Sequence, residues 1–192
     1  KLAKRGYDLL LVARRVDRLE ELKREIDDPD ISVDILEADL SKRDEITKLV
    51  KYIEGSGKKM DIFINCAGFG LAGPFMETDL DREIGMIDVN VTAVHILTKE
   101  VLRIMDKSGK HDKYLMNVAS SAGLFPAGPY MATYYATKAY VTSLTRAISM
   151  ELSERKSDIT ISCLCPGPVD TEFNEVADVS FALRGISADY CA

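Results

Sequence analysis

Short apolar runs alternate with amphipathic stretches along nearly the whole chain, and this alternation restricts the fold more than any other feature. Residues 7–13 (YDLLLVA) are mostly apolar and too short for a helix, as expected of a strand covered on both faces. Residues 16–27 then place Leu19, Leu22 and Ile26 three and four apart among charges, which predicts a helix ending before Pro29. Residues 31–38, rich in Ile and Val, predict a second strand. Residues 42–54 carry Ile46, Leu49, Val50 and Ile53 on one helical face, closed by Gly55-Ser56-Gly57. The pattern continues with a strand over 60–64, a long helix over 79–107, a strand over 114–118 and a helix over 133–155. A last strand, 159–164, stops at Cys165-Pro166-Gly167-Pro168. Such alternation implies right-handed crossovers and a single α/β domain over 1–192, a doubly wound parallel sheet with helices on both faces.

Charge and composition remove other classes. With 25 Lys+Arg against 31 Asp+Glu the net charge is −6, the wrong sign for an electrostatic nucleic-acid binder. An apolar content of 46% is too high for low-complexity disorder, and no unbroken apolar run approaches the length of a membrane span. Cys163 and Cys165 are expected on one face of a strand, too far apart for easy bridging. With Cys66 and Cys191 they read as reduced thiols of a reducing compartment, the cytoplasm. No Cys-x-x-Cys pair occurs and neither His95 nor His111 lies near a cysteine, so no metal site is predicted.

In parallel sheets ligands bind beyond the carboxyl ends of the strands. The residues there are Arg14-Arg15, Asp39, the small-residue run 65–70, Ser120-Ser121 and the segment 166–171. Tyr134 and Lys138, four apart on a predicted helix, share one face. Ser120 and Ser121 precede the tyrosine at the end of a strand. Asn90 sits inside the long helix, where its amide must find a partner. Taken singly, these residues equally describe a surface Tyr–Lys pair and a structural amide at a helix kink.

Together, Asn65-Cys66-Ala67-Gly68, Asp88-Val89-Asn90-Val91, Asn117-Val118-Ala119-Ser120, Tyr134-x-x-x-Lys138 and Pro166-Gly167-Pro168-Val169-Asp170-Thr171 resemble the short-chain dehydrogenase/reductase family in order and spacing. The resemblance implies a Rossmann-like sheet and a tetrad of Asn90, a serine, Tyr134 and Lys138. Counting from Asn117 selects Ser120, with one residue inserted in the 123–129 loop; counting back from the tyrosine selects Ser121. Ser120 is preferred, because loops absorb insertions more readily than strand ends shift. The chemistry suits these types. An alkoxide formed by hydride transfer needs a proton, a phenol can supply it, and a neighbouring ammonium lowers the phenol's pKa.

The resemblance further implies that Asp39 bonds the adenine with Leu40 beside it. Asn65, Ala67 and Gly68 would line the dinucleotide, Tyr134 and Lys138 would reach the nicotinamide side, and Pro166, Gly167, Val169 and Thr171 would border the nicotinamide. The first visible strand ends in Arg14-Arg15 rather than a carboxylate, which favours NADP(H) over NAD(H). The family's first strand, glycine-rich pyrophosphate turn and last strand have no counterpart here, so the chain is expected to be part of a longer protein. The opening Lys1-Leu2-Ala3-Lys4-Arg5-Gly6 reads as a helix end with its terminal glycine. Without a middle strand, residues 7–13 and 60–64 should face an unfilled gap, and these residues alone should bind cofactor poorly. Phe125, Tyr130, Met131, Phe173 and Phe181 lie in loops that border the site in the family; an apolar, flexible pocket for a small carbonyl or alcohol substrate explains them, and core packing or oligomer contacts explain them equally well. The implied activity is an NADP(H)-dependent ketone/aldehyde reductase or alcohol dehydrogenase, a homodimer or homotetramer paired through its long helices. A non-catalytic scaffold or sensor and a sugar-nucleotide epimerase or dehydratase are the alternatives.

Overall fold

The computed structural model describes residues 1–26, 28–173, 177 and 185–192. A 3₁₀ turn, Ala3–Arg5, ends at Gly6, whose φ of 85° lets its N–H reach the Ala3 carbonyl. Strand β1 (Leu9–Ala13), helix α1 (Val16–Ile26) and strand β2 (Val33–Glu37) follow, then helix α2 (Arg43–Gly55) and strand β3 (Ile62–Asn65). Helix α3 (Leu80–Ile87) starts at Asp79, whose carboxylate accepts from the Arg82 N–H at 2.8 Å. It runs through a π-helical turn, Asp88–Ala93, into α4 (Val94–Lys107). Strand β4 (Lys113–Val118), helix α5 (Ala132–Glu154) and strand β5 (Ile159–Leu164) complete the alternation. Two short strands, β6 (Val169–Asp170) and β7 (Ile186–Ser187), pair in parallel before a terminal helical turn.

All pairings among the described residues are parallel, and the main strands form two separate ladders, β1–β2 and β3–β4–β5. The expected gap is therefore present: among the described residues β1 and β3 pair with no strand on their facing sides. A shared core joins the two ladders. Ile46, Leu49 and Ile53 of α2 and Leu97 of α4 pack against Val12, Leu36 and Phe63 from both ladders. Each fully buried aliphatic there contributes on the order of 1.5–3 kcal/mol. A second core, Val101 and Met105 on Leu115, Ile159 and Ile161, fixes α4 to β4 and β5.

Strand β1 departs from its expected burial on both faces: none of its residues is buried, and Leu10 is 37% exposed. With β2 on one side only, its apolar side chains lack a second flank. Strand β3 lies later than the 60–64 expectation, taking in Asn65, because its ladder sets Asn65 opposite Asn117. The foot of the larger sheet is stapled by Lys113, which is only 1% exposed. Its ammonium donates to the carbonyls of Met105 and Gly109 at 2.8 and 2.6 Å and lies 3.2 Å from Asp158, so the buried charge is fully partnered.

Candidate active site

Helix α5 turns an unusually polar face inward. Tyr134, Thr137, Lys138, Val141, Thr142 and Thr145 are all buried at three- and four-residue spacings. This face packs on the ends of β4 and β5, which places Tyr134 and Lys138 side by side, the lysine Nζ 5.8 Å from the centre of the phenol ring. Lys138 donates to the Val118 carbonyl at 3.0 Å. Burial pulls its pKa down from 10.5 to about 8.

Tyr134 behaves differently from the expectation that the neighbouring cation depresses it. Burial pushes its pKa up, and the hydrogen bond with Ser120 only partly offsets this. The cation lies beside the ring and is committed to Val118, so desolvation prevails. The phenol is walled by Leu71, Met86 and Met131, with Phe173 at 5.4 Å between ring centres. Of the two candidate serines, Ser120 is the one near enough to act on the Tyr134 phenol, favouring its ionised form; its Oγ accepts from the Ala122 N–H at 3.1 Å. Ser121 lies in the following 3₁₀ turn, its N–H donating to the Pro166 carbonyl at 2.7 Å.

Asn90 is 1% exposed and sits on the π-helical turn. Its Oδ1 accepts from the Phe69 N–H at 3.1 Å, while its Nδ2 donates to the Phe69 carbonyl at 2.9 Å and to Thr137 Oγ1 at 3.2 Å. A π-turn inserts one residue into the helix and frees the backbone locally, a feature frequent at functional sites. Gly68 links the pieces: a methyl group built there would lie 2.9 Å from Asn90 Oδ1 and 3.3 Å from Lys138 Nζ. Asn90, Lys138, Tyr134 and Ser120 therefore occupy one small region around bare backbone.

The remaining predicted positions divide. Ala67 and Gly68 lie exposed beyond β3. Asn65 turns its side chain inward instead, its Nδ2 donating to Asn117 Oδ1 at 2.8 Å and to Thr98 Oγ1 at 3.2 Å. Leu40 packs in the α2 core. At Asp39, burial raises the pKa, but bonds from the Ser41 hydroxyl and N–H, with Arg14 and Lys42 nearby, outweigh it and hold the carboxyl below its ordinary value. Arg14 is thus near enough for its charge to act on Asp39, whereas Arg15 is engaged by Glu172 at 2.7 Å, with Arg18 3.5 Å from the same carboxylate. Glu172 sits just past Thr171, so its ion pair ties the segment after β5 to the end of β1. Pro166, Gly167, Val169 and Thr171 line that segment, Val169 paired with Ile186. Met131 and Phe173 reach Tyr134; Phe125 and Tyr130 are exposed, Phe125 over a separate cavity of about 440 Å³; Phe181 lies outside the described residues.

Sequence reasoning missed the support beneath the site. Asn117 donates to Thr145 Oγ1 at 2.9 Å and accepts from Asn65 and Thr98, and these four polar residues are almost completely buried. The available signal was Thr98 at an inward position of the otherwise apolar face of α4.

The sequence model of the family described as short chain dehydrogenase matches residues 1–179. The chain belongs to the short-chain dehydrogenase family. It is 32% identical over 175 residues to dehydrogenase/reductase SDR family member 11 of Gallus gallus, covering 90% of this chain and 69% of that protein. The short-chain dehydrogenase from Sphingobium yanoikuyae, solved in complex with NADPH, superposes with a TM-score of 0.87 at 29% identity, covering 99% of this chain and 73% of that one. A short-chain dehydrogenase/reductase from Burkholderia phymatum, solved with NAD, superposes with a TM-score of 0.83 at 26% identity, covering 95% of this chain and 65% of that one. Membership makes the chain an oxidoreductase of the nicotinamide-dependent type, and the residues present fit such a cofactor. The bare Gly68 backbone between Asn90 and Lys138 admits a close approach that any side chain would block. Among the described residues, no helix is long and apolar enough to cross a membrane, and no cluster of three or more His, Cys, Asp or Glu is placed to hold a metal.

Proposed function

We propose that this chain carries the reaction centre of an NADP(H)-dependent oxidoreductase that interconverts a ketone or aldehyde with an alcohol, with 1–192 acting as one nucleotide-binding domain. The observation behind this reading is the convergence of Asn90, Lys138, Tyr134 and Ser120 around Gly68. When bound, the nicotinamide supplies or accepts the hydride. The chain's own groups handle the oxygen and its proton. Ser120 Oγ, steadied by the Ala122 N–H, holds the carbonyl oxygen as charge develops on it. Tyr134 Oη gives its proton to that oxygen during reduction and takes it back during oxidation. The buried phenol is by itself a weak acid. Lys138, poised at about 8, can return a proton to the site near neutral pH. Asn90 fixes the Phe69 backbone, so the surface facing Lys138 keeps its shape. Leu71, Met131 and Phe173 exclude water from the phenol and favour an apolar carbonyl compound.

NADP(H) is the preferred cofactor because β1 ends without a carboxylate and Arg14 stands beside Asp39, whose Oδ1 is already engaged by Ser41. The Sphingobium yanoikuyae and Burkholderia phymatum enzymes were solved with NADPH and with NAD respectively, so the test uses both cofactors. A homodimer or homotetramer joined along α4 and α5, in the reducing cytoplasm, completes the reading.

The test is a panel of ketones and alcohols with either cofactor. Tyr134→Phe is expected to lower kcat/KM about 10³-fold while leaving the melting temperature near that of the parent. A variant keeping most of its activity removes Tyr134 from the mechanism. NADPH binding without turnover of any carbonyl would replace the reading with a non-catalytic sensor.

A further inference from the structure

The end of β5 carries two thiols that the proposed reaction does not use. Cys163 is the penultimate residue of β5 and Cys165 follows the strand directly, so the two side chains leave the same face about 6.6 Å apart at the backbone. Against the expectation from spacing, they lean together, with Sγ to Sγ at 3.7 Å. Val94, Ala119 and Val141 pack beside them. Thr142 Oγ1 is near both sulfurs, at 4.0 and 3.9 Å, but gives its proton to the Lys138 carbonyl at 2.9 Å. The two sulfurs thus face each other with no strong donor committed to either.

The separation discriminates between ways of joining them. A disulfide at about 2.05 Å would require the sulfurs to close by roughly 1.7 Å. The β4–β5 ladder resists that, because Cys163 is registered against Asn117 and Leu164 against Val118. One soft pyramidal atom bonded to both sulfurs at about 2.3 Å, with an angle between them of about 100°, spans about 3.5 Å, within a few tenths of an ångström of the separation this backbone already provides.

We propose that Cys163 and Cys165 form a chelating dithiol site for a thiophilic centre offering two adjacent exchangeable positions, of which a trivalent organoarsenical is the representative ligand. In the binding step two S–H bonds break and two As–S bonds form. The arsenical's oxygen leaves as water with both protons, and arsenic stays trivalent. The site lies directly behind Pro166, whose carbonyl holds the Ser120–Ser121 turn through the Ser121 N–H. A ligand there therefore sits one residue from the segment assigned to the nicotinamide.

Phenylarsine oxide tests this on the purified protein in the presence of excess 2-mercaptoethanol, which competes for single thiols. Intact-mass spectrometry is expected to show one adduct per chain, removed by dithiothreitol. Cys163→Ser and Cys165→Ser should each weaken apparent binding about 100-fold, the advantage of a second tethered thiol. Cys66→Ser and Cys191→Ser should leave it unchanged. Alkylation of the denatured wild-type adduct provides a readout that needs no variant: Cys163 and Cys165 should escape modification together. No adduct in the wild type, or protection mapped to Cys66 and Cys191, overturns the site.

Discussion

The three-stranded and two-stranded halves of this molecule are built on different principles. Around β4, Lys113, Leu115 and Asn117 are essentially inaccessible; Lys113 is held by the Met105 and Gly109 carbonyls and Asn117 by Asn65 and Thr145, all at short distances. Strand β1 has no buried residue, and its neighbourhood is stitched by exposed ion pairs such as Lys58 with Asp34 at 2.6 Å and Arg15 with Glu172 at 2.7 Å. Proton transfer demands fixed geometry, and Ser120, Tyr134 and Lys138, proposed to carry it, stand on the half that can supply it. Recognition of a charged, solvated ligand end tolerates looser side chains, and Arg14 and Asp39, proposed for that role, stand on the other.

This contrast can be broken in several places. The largest effect after Tyr134→Phe is expected at Lys138. Its folded pKa of about 8 lies below its ordinary 10.5, so between those values the unfolded chain binds more protons and stability rises with pH; below about 8 the penalty of burying the ammonium is felt in full. Lys138→Met should therefore melt above the parent at pH 7, by up to about 3 kcal/mol, with the gap closing toward pH 10.5. A parallel pair of melting curves would show that the lysine is not desolvated. Asn117→Leu should cost about 1–3 kcal/mol by stripping partners from Asn65 and Thr145, read by denaturant unfolding. Lys58→Ala on the other half should leave the midpoint unmoved. Equal effects would erase the distinction between the halves.

Two smaller predictions sharpen the second half. Arg14→Ser should lower kcat/KM for NADPH about tenfold while sparing NADH, because the guanidinium is suited to a phosphate and not to a bare ribose. Glu172→Gln should improve NADPH about threefold by releasing Arg15 and Arg18, with NADH unaffected. A preference for NADH in the parent protein would reverse the assignment of Arg14.

The fold was legible because periodicity is local: the spacing of Ile46, Leu49 and Ile53 already names the buried face of α2. The Tyr134–Lys138 pair was legible for the same reason, since four residues make one helical turn. Features that depend on distant segments were not. Nothing near Asn117 announces Thr145 or Thr98, and nothing near Arg15 announces Glu172. The cysteine spacing was readable, but the lean of the two side chains is set by packing against Val141 and Ala119. The expectation for Tyr134's acidity failed because it counted the neighbouring charge and not the water removed around the ring.

The π-helical turn at Asp88–Ala93 has a consequence for how this helix can change. Its extra residue acts as a phase adjuster between two faces: upstream, Met86 points into the Tyr134 pocket, and downstream, Leu97 and Val101 point into the sheet. Removing one residue would rotate everything beyond it by about 100°. Either the Asn90 amide or the whole apolar seam of α4 would then face the wrong way. The length of this stretch is thus fixed by two faces at once, the Asn90 side and the sheet side.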